Sequence, residues 1–284
     1  MVKRIRSIAG YWWRLFFGLF KKAGQTIDHM RAKPSETPVI IMGHQKTGTT
    51  AIAALLGKAT EKEVSIDPFY RTPKKHIVLP KLYENKLLLS DYIRSNAYLY
   101  RPQIIKDPEF VFFYKELKEI YTDSKFVFII RNPFDNIKSI LDRLKIPGDI
   151  DDFNETLFPE VMNTWDWMEL LRGDLSNVKG NNIIETLALR WVFCANLYLN
   201  NKNDFILVKY EEFREDKIGI INNLIENIND EIKQDISSIM NKQFQPKGEN
   251  SSISPQFFFS KKNYDIIAEI CEKLYFEIYK RNLH

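Results

Sequence analysis

The feature that most constrains the fold is a glycine-rich loop between an apolar run and a helix-like run. Residues 39–42 read VIIM, residues 43–50 read GHQKTGTT, and residues 51–59 read AIAALLGKA. These three stretches predict a strand, a turn and a helix in that order. The backbone N–H groups of such a turn, with the helix N-terminus behind them, point at an anion. The stretch therefore predicts an α/β protein that binds phosphate.

The lysine of this loop is not where a nucleotide-hydrolysing protein has it. The usual loop is G-x-x-x-x-G-K-[ST], with the lysine directly after the second glycine. Gly43 and Gly48 keep that spacing, but Thr49 follows the second glycine and Lys46 precedes it. An NTPase also holds magnesium with an acidic strand-end residue, whereas the apolar run KFVFII ends in Arg131. A basic strand end is unsuited to a metal and suited to another phosphate.

Further apolar runs predict a sheet around this loop. After KFVFII, Asn132 can cap a helix and Pro133 fits its first position. Strands alternating with helices indicate an α/β fold with a central parallel sheet flanked by helices. Ligands of such sheets bind at the carboxyl ends of the strands. The other predicted strands are VSI (64–66), QIIK (103–106) and DFILVKY (204–210).

Composition narrows the class of partner. The 284 residues suffice for one large α/β domain or two small ones, and the net charge is +4. This mild charge suits an anionic small ligand or a membrane surface and does not indicate nucleic acid. Cys194 and Cys271 lie in apolar, helix-like stretches, which favours buried thiols over a disulfide framework or a zinc site.

The N-terminal residues 1–30 form a separate unit in the prediction. Residues 3–22 place basic side chains on one helical face and aromatic and aliphatic ones on the other. The 13-residue run from Ile8 to Phe20 would be about 20 Å long as a helix, which is short of a membrane's ~30 Å core. An in-plane interfacial helix and a helix packed on the protein's own core both remain open. We expect a linker at 31–38, a catalytic domain at 39–284, and a cytoplasmic protein, with peripheral association at the inner face of a membrane as an alternative.

Two motifs together resemble those of the sulfotransferases that use 3′-phosphoadenylyl sulfate (PAPS). GHQKTGTT looks like the family's 5′-phosphosulfate loop, whose usual form is PKTGTT or QKTGTT. The second signature is a strand-end arginine, then Asn-Pro, then a serine eight residues beyond the arginine, and RNPFDNIKS (131–139) has all of these. A looser match is FQPKGENSS (244–252), which is similar to the family's late Lys-Gly loop. The resemblance spans residues 38–280 and leans toward the carbohydrate-type branch, which has many bacterial members. It implies a P-loop-containing three-layer fold.

The resemblance also implies how the donor PAPS would be held. Lys46 would stabilise the departing 5′-phosphate in the transition state. A sulfuryl group carries one negative charge where a terminal phosphoryl carries two, so no metal is required. The implied contacts to the 5′-phosphosulfate are His44, Gln45, Lys46, Thr47, Gly48, Thr49 and Thr50, and those to the 3′-phosphate are Arg131, Ser139, Lys247 and Gly248.

The acceptor hydroxyl or amine needs a base to take its proton. Asp67 matches the carboxylate that carbohydrate-type members place after the second strand, although Asp before Pro68 is also a common turn residue. Lys106 matches a Lys-x-Pro element near the acceptor, and Asp107 beside it is an alternative base. His76 is a further candidate for the acceptor site. A glycan or glycolipid acceptor is expected, and an interfacial helix would suit a membrane-borne one.

Two other classes of protein remain open from the sequence. A nucleotide or small-molecule kinase with a variant loop would need magnesium and a strand-end carboxylate. A non-catalytic family member would bind a nucleotide or a membrane and do no chemistry.

Overall fold

The computed structural model describes residues 32–154, 157–158, 161, 164–242, 248–250 and 252–283. The helix predicted within residues 1–30 lies outside the described residues, as does Lys247. Residues 32–38 form neither helix nor strand, and the first strand begins at Val39. Across the part of the chain that the structure describes, no helix is both long and apolar enough to cross a membrane.

A single sheet organises the described chain. Its strands are β1 (Val39–Gly43), β2 (Val64–Ile66), β3 (Ile104–Lys106), β4 (Phe126–Ile130) and β5 (Phe205–Lys209). The spatial order is β2-β3-β1-β4-β5, and every neighbouring pair is parallel. This confirms the predicted central parallel sheet.

Helices connect the strands and cover both faces of the sheet. In chain order they are α1 (Thr49–Thr60), α2 (Pro68–Arg71), α3 (Lys75–Tyr83), α4 (Leu89–Ser95), α5 (Ala97–Tyr100), α6 (Tyr114–Ile120), α7 (Pro133–Arg143), α8 (Trp165–Arg172), α9 (Ile183–Asn200), α10 (Tyr210–Glu215), α11 (Lys217–Asn227), α12 (Pro255–Phe258) and α13 (Lys261–Tyr279). Short 3₁₀ turns span Pro108–Phe113 and Lys202–Asp204. The three-layer α/β architecture is the one that the alternation of strand and helix patterns predicts.

Alternate side chains of the central strands enter two separate cores. Ile40 and Met42 of β1 pack in one core, and Ile41 packs in the other. Successive side chains of a strand point to opposite faces, so a strand covered on both sides is apolar throughout, as VIIM is. The first core includes the fully buried Trp191 of α9, and the second includes the buried face of α1. Cys194 and Cys271 are buried free thiols, as predicted.

The parallel register brings the chemically distinctive residues to one edge. Ile41 of β1 is paired with Lys106 of β3, and Gly43 is paired with Ile129 of β4. The loop after β1, the end of β3 and the turn after β4 are therefore neighbours at the carboxyl edge of the sheet. Ligands of open parallel sheets bind at this edge.

Candidate functional site

The two glycines of the GHQKTGTT loop are required by close packing. Gly43 has a φ of +152°, and a Cβ there would overlap the carbonyl oxygen of Ile129 on β4. Gly48 has a φ of +90°, and a Cβ there would come within 2.5 Å of the Tyr210 ring. These positions favour glycine both by conformation and by space. Because Gly48 precedes α1 and has no side chain to cap it, the first N–H groups of the helix can donate to an anion.

The backbone of the loop is held from the side of β4 and α7. Arg131 Nη1 donates to the carbonyl oxygen of Lys46 at 3.0 Å. Asn136 Nδ2 donates to the carbonyl oxygen of Gln45 at 2.6 Å. These two hydrogen bonds tie the loop backbone to the Arg131 turn and to α7. Lys46 itself has a left-handed φ of +67°, which is uncommon for a residue with a Cβ and is often found at functional turns.

Positive charge accumulates around Lys46. The pKa of Lys46 is lowered to about 8, first by burial and then by the charges of Arg143, Arg131 and Lys106 in that order of size. Asp142 acts in the opposite direction. Several cations therefore face one another with too little negative charge between them. A bound polyanion would relieve this repulsion, so the place is a candidate anion site.

Arg131 is oriented by an aromatic ring and by the turn that it begins. Its guanidinium carbon lies 4.6 Å from the centroid of the Tyr210 ring, which is within the range of a cation–π contact. Its carbonyl oxygen accepts a hydrogen bond from Trp191 Nε1 at 2.8 Å. Its Nε is buried and has no hydrogen-bond partner among the described residues. A phosphate oxygen would be a suitable acceptor for that donor.

A carboxylate behind the Arg131 turn ties it to the last helix. Asn132 caps α7 by accepting the N–H of Phe134 at 2.9 Å. The N–H of Asn132 donates to Glu211 Oε1 at 2.8 Å, and Tyr279 Oη donates to Glu211 Oε2 at 2.9 Å. The turn that presents Arg131 is thus held by a hydrogen-bond chain from α10 and α13.

Residues 248–250 contact α7 at Asp142, one helical turn after Ser139. Ser139 is half-buried, and Asp142 lies three residues further on the same helical face. Asp142 Oδ1 accepts hydrogen bonds from the backbone N–H and Nδ2 of Asn250 at 3.1 and 2.9 Å. Gly248 lies against the same carboxylate, which a Cβ at that position would overlap. Because Asp142 also acts on the pKa of Lys46, the residues 248–250 lie beside the same charged cluster.

The two candidate bases have different partners. Asp67 Oδ1 lies 2.6 Å from the Nζ of Lys106, which is 2% exposed, whereas the Asp67 side chain is about one-third exposed. Asp67 precedes α2 but its side chain does not cap that helix, so its carboxylate does not have the role that Asp before Pro commonly has. Asp107 is buried, and its two oxygens accept the backbone N–H groups of Phe69 and Glu109 at 2.9 and 3.0 Å. Burial, and then the charge of Asp67, raise the pKa of Asp107.

The two histidines of the prediction lie in opposite environments. His44 is 2% exposed, and burial followed by the charge of Arg190 lowers its pKa to about 3. The imidazole of His44 is therefore neutral at ordinary pH. The backbone carbonyl oxygen of His44 accepts a hydrogen bond from Thr47 Oγ1 at 2.8 Å. His76 is exposed on α3.

Gln45 connects the loop to a small cavity. Its Nε2 donates to Glu109, which also accepts from Tyr83 Oη and from Arg190 Nη2. Glu109, Tyr83 and Arg190 line a cavity of about 40 Å³. The other lining residues include Leu79, Trp165, Asp166, Glu169 and Ser176.

Several residues of the site were not among the sequence candidates. They are Asn136, Tyr210, Glu211, Asp142 and Glu109, each of which contacts the loop, the Arg131 turn or residues 248–250. YEEF after β5 was a local signal for Tyr210 and Glu211 because it follows a strand at the binding edge. Asn136 lies within RNPFDNIKS. The other two give no local signal, since their partners are distant in sequence.

Comparisons with known proteins agree with this architecture. The sulfotransferase domain family matches residues 36–280. The sulfotransferase STF9 from Mycobacterium avium has a similar structure, with a TM-score of 0.50 at 11% identity over 91% of this chain and 80% of that one. A sulfotransferase from Alicyclobacillus acidocaldarius gives 0.46 at 14% identity over 86% and 96%. Mouse SULT7A1, solved in complex with adenosine 3′,5′-bisphosphate (PAP), gives a TM-score of 0.46 at 11% identity over 87% of each chain. No curated protein matches the sequence.

The hydrogen bonds of Glu211 predict that its substitution lowers both stability and ligand affinity. Glu211→Ala removes both acceptor oxygens, so the Asn132 N–H and Tyr279 Oη both lose their partner. We expect about 1–2 kcal/mol of lost stability in chemical denaturation. We also expect several-fold weaker binding of an anionic ligand at the loop, because the Arg131 turn is no longer held.

Glu212→Ala is the matched control. Glu212 is the next residue and is exposed, so its replacement should change neither stability nor binding. Equal effects of the two substitutions would contradict the positioning role of Glu211.

Proposed function

The chain belongs to the sulfotransferase domain family and is a PAPS-dependent sulfotransferase, and we propose that Lys46 stabilises the 5′-phosphate as it leaves. The observation that carries this assignment is the convergence of Lys46, Arg131 and Lys106 on one anion-binding loop. The loop residues from His44 to Thr50 would hold the 5′-phosphosulfate with backbone N–H groups, the threonine hydroxyls and Lys46 Nζ. Gly43 and Gly48 allow that backbone to pack closely against Ile129 and the Tyr210 ring.

The 3′-phosphate is assigned to the far side of the same cluster. Arg131 supplies a guanidinium whose Nε has no partner among the described residues, and Ser139 supplies a hydroxyl from α7. Gly248, held against Asp142, would bring the late loop over this phosphate. Lys247, which lies outside the described residues, is proposed to add a charge there.

Asp67 is the proposed general base. PAPS supplies the sulfuryl group, and the acceptor oxygen bonds to sulfur as the bond from sulfur to the 5′-phosphate oxygen breaks. Asp67 takes the acceptor's proton, and Lys106 holds the Asp67 carboxylate in place at 2.6 Å. Lys46 donates to the bridging oxygen that gains charge. Asp107 is assigned a structural role because both of its oxygens accept backbone N–H groups.

The proposed acceptor is a hydroxyl, or an amine, of a glycan or glycolipid. This proposal rests on the resemblance of the GHQKTGTT loop to the carbohydrate-type branch of the family. The cavity beyond Gln45, at about 40 Å³, is too small to hold a saccharide and does not bear on the acceptor. Nucleic acid is not proposed as a partner, since the charge excess is small. Peripheral membrane association of a cytoplasmic enzyme is proposed and is tested below.

The low pKa of Lys46 predicts how donor-site affinity depends on pH. The free protein loses the Lys46 charge as pH rises through about 8, whereas a bound anion favours the protonated form. The dissociation constant of PAP should therefore be flat below pH 7 and should rise by up to tenfold per pH unit above 8. Isothermal titration from pH 6.5 to 9.5, with points at roughly half-unit steps, measures this.

Lys46→Arg provides the control, since arginine stays protonated over this range. Its affinity, whatever its absolute value, should not fall between pH 8 and 9.5. The same pH slope in both proteins would remove Lys46 from the proposed role.

Substitution of the two carboxylates separates base from scaffold. Asp67→Asn should lower turnover by about 10²–10⁴-fold because general-base catalysis contributes in that range, with PAP affinity nearly unchanged. Asp107→Asn should lower stability and leave the turnover of the folded fraction within a few-fold of the unsubstituted enzyme. Turnover is measured as PAP released from PAPS with the best acceptor from a panel of saccharides and glycolipids. The reverse ranking of the two variants would assign the base to Asp107.

A further inference from the structure

One segment of the described chain has a locally high positive charge. Residues 68–88 contain five Lys or Arg and one acidic residue, for a net charge of +4. The basic residues are Arg71, Lys74, Lys75, Lys81 and Lys86, and the acidic one is Glu84. These charges lie in α2, α3 and the turn that follows.

The inner face of α3 is fixed to the site. Leu79 and Leu82 are buried, and Tyr83 Oη donates to Glu109, the partner of Gln45 in the loop. Lys75 forms an ion pair with Asp166 of α8. Because Leu79, Tyr83, Glu109 and Asp166 all line the cavity beside the loop, α3 is one wall of that cavity.

The outer face of α3 combines basic and apolar side chains. Lys74, Ile77 and Lys81 are exposed and are spaced i, i+3 and i+7, so they lie on one side of the helix. Ile77 is 48% exposed. Tyr70 of α2 is 54% exposed, and its ring lies 3.5 Å from Lys75 Nζ. Leu88, 64% exposed, follows at the end of the same segment.

We propose that this outer face of α3 docks on an anionic lipid surface. Basic side chains attract the headgroups of anionic lipids, and exposed aromatic and aliphatic side chains enter the interface between headgroups and acyl chains. A soluble polyanion would match the charges but would leave the exposed Ile77 side chain in water, so the combination favours a membrane. Docking would place the cavity wall, and Asp67 just before α2, beside a membrane-borne acceptor. Only this last consequence rests on the proposed function.

A reporter on α3 tests the proposal in the full chain. Cys194 and Cys271 are buried, so a thiol-reactive, environment-sensitive fluorophore would label Ile77→Cys selectively. Phe257→Cys on α12 is the matched control, because Phe257 is 88% exposed on a different element. Vesicles of phosphatidylcholine, alone or with about one-third phosphatidylglycerol, are titrated at low and high salt.

The expected result is a blue shift and an intensity rise at position 77 with the anionic vesicles. The neutral vesicles should give little change, added salt should reverse the shift, and the label at position 257 should not respond. Each basic residue near an anionic surface contributes about fivefold in partition, so adding Lys74→Gln and Lys81→Gln should weaken the response at position 77 by about 30-fold.

Three outcomes would overturn the docking proposal. They are no response at position 77, equal responses at positions 77 and 257, and a response to dextran sulfate without one to vesicles. Thermal stabilisation by PAP, measured on each labelled protein, shows whether the donor site is intact. A preserved PAP shift without a lipid response rejects only the docking surface, whereas a lost PAP shift in the unlabelled protein rejects the proposed donor site.

Discussion

Mutual repulsion among cations at one edge of the sheet is the constraint on which the rest of the site depends. The parallel register brings together three cations that follow or end neighbouring strands, namely Lys46 after β1, Lys106 at the end of β3 and Arg131 after β4. Without an anion their charges oppose one another; burial first, and then the neighbouring charges, lower the pKa of Lys46. Such a cluster is stable only because the surrounding fold holds each member. It also gives a polyanionic ligand a larger gain in free energy than any one of these charges could supply.

Arg131 and Lys106 are held in place by different contacts. Arg131 contacts the Tyr210 ring and the carbonyl oxygen of Lys46. Lys106 is paired with Asp67, so the carboxylate that offsets its charge is also the proposed base. Behind them, Glu211 secures the Arg131 turn to the last helix. The site can therefore remain organised before the donor arrives, and this preorganisation is what electrostatic catalysis requires.

Local sequence patterns predicted the sheet and the phosphate loop because they depend on neighbours along the chain. VIIM before GHQKTGTT specifies strand and turn, and RNP specifies the helix start that presents Arg131. The contacts of Asp142 with Asn250, and of Glu211 with Tyr279, join residues 108 and 68 positions apart, and no local pattern encodes such pairs. The choice between Asp67 and Asp107 was likewise open in the sequence. In three dimensions one carboxylate pairs with Lys106, and the other accepts two backbone N–H groups.

The most direct test of the account is a thermal-shift titration with PAP, compared with ADP and ATP, in the presence and absence of magnesium. A ligand that binds only the folded state stabilises it by about 2.7 kcal/mol at a hundredfold excess over its Kd. The account predicts a magnesium-independent shift with PAP that is largely lost in Arg131→Ala. A shift that appears only with ATP and magnesium, and that Arg131→Ala leaves unchanged, would contradict the assignment of the cationic cluster to PAPS and would indicate a kinase.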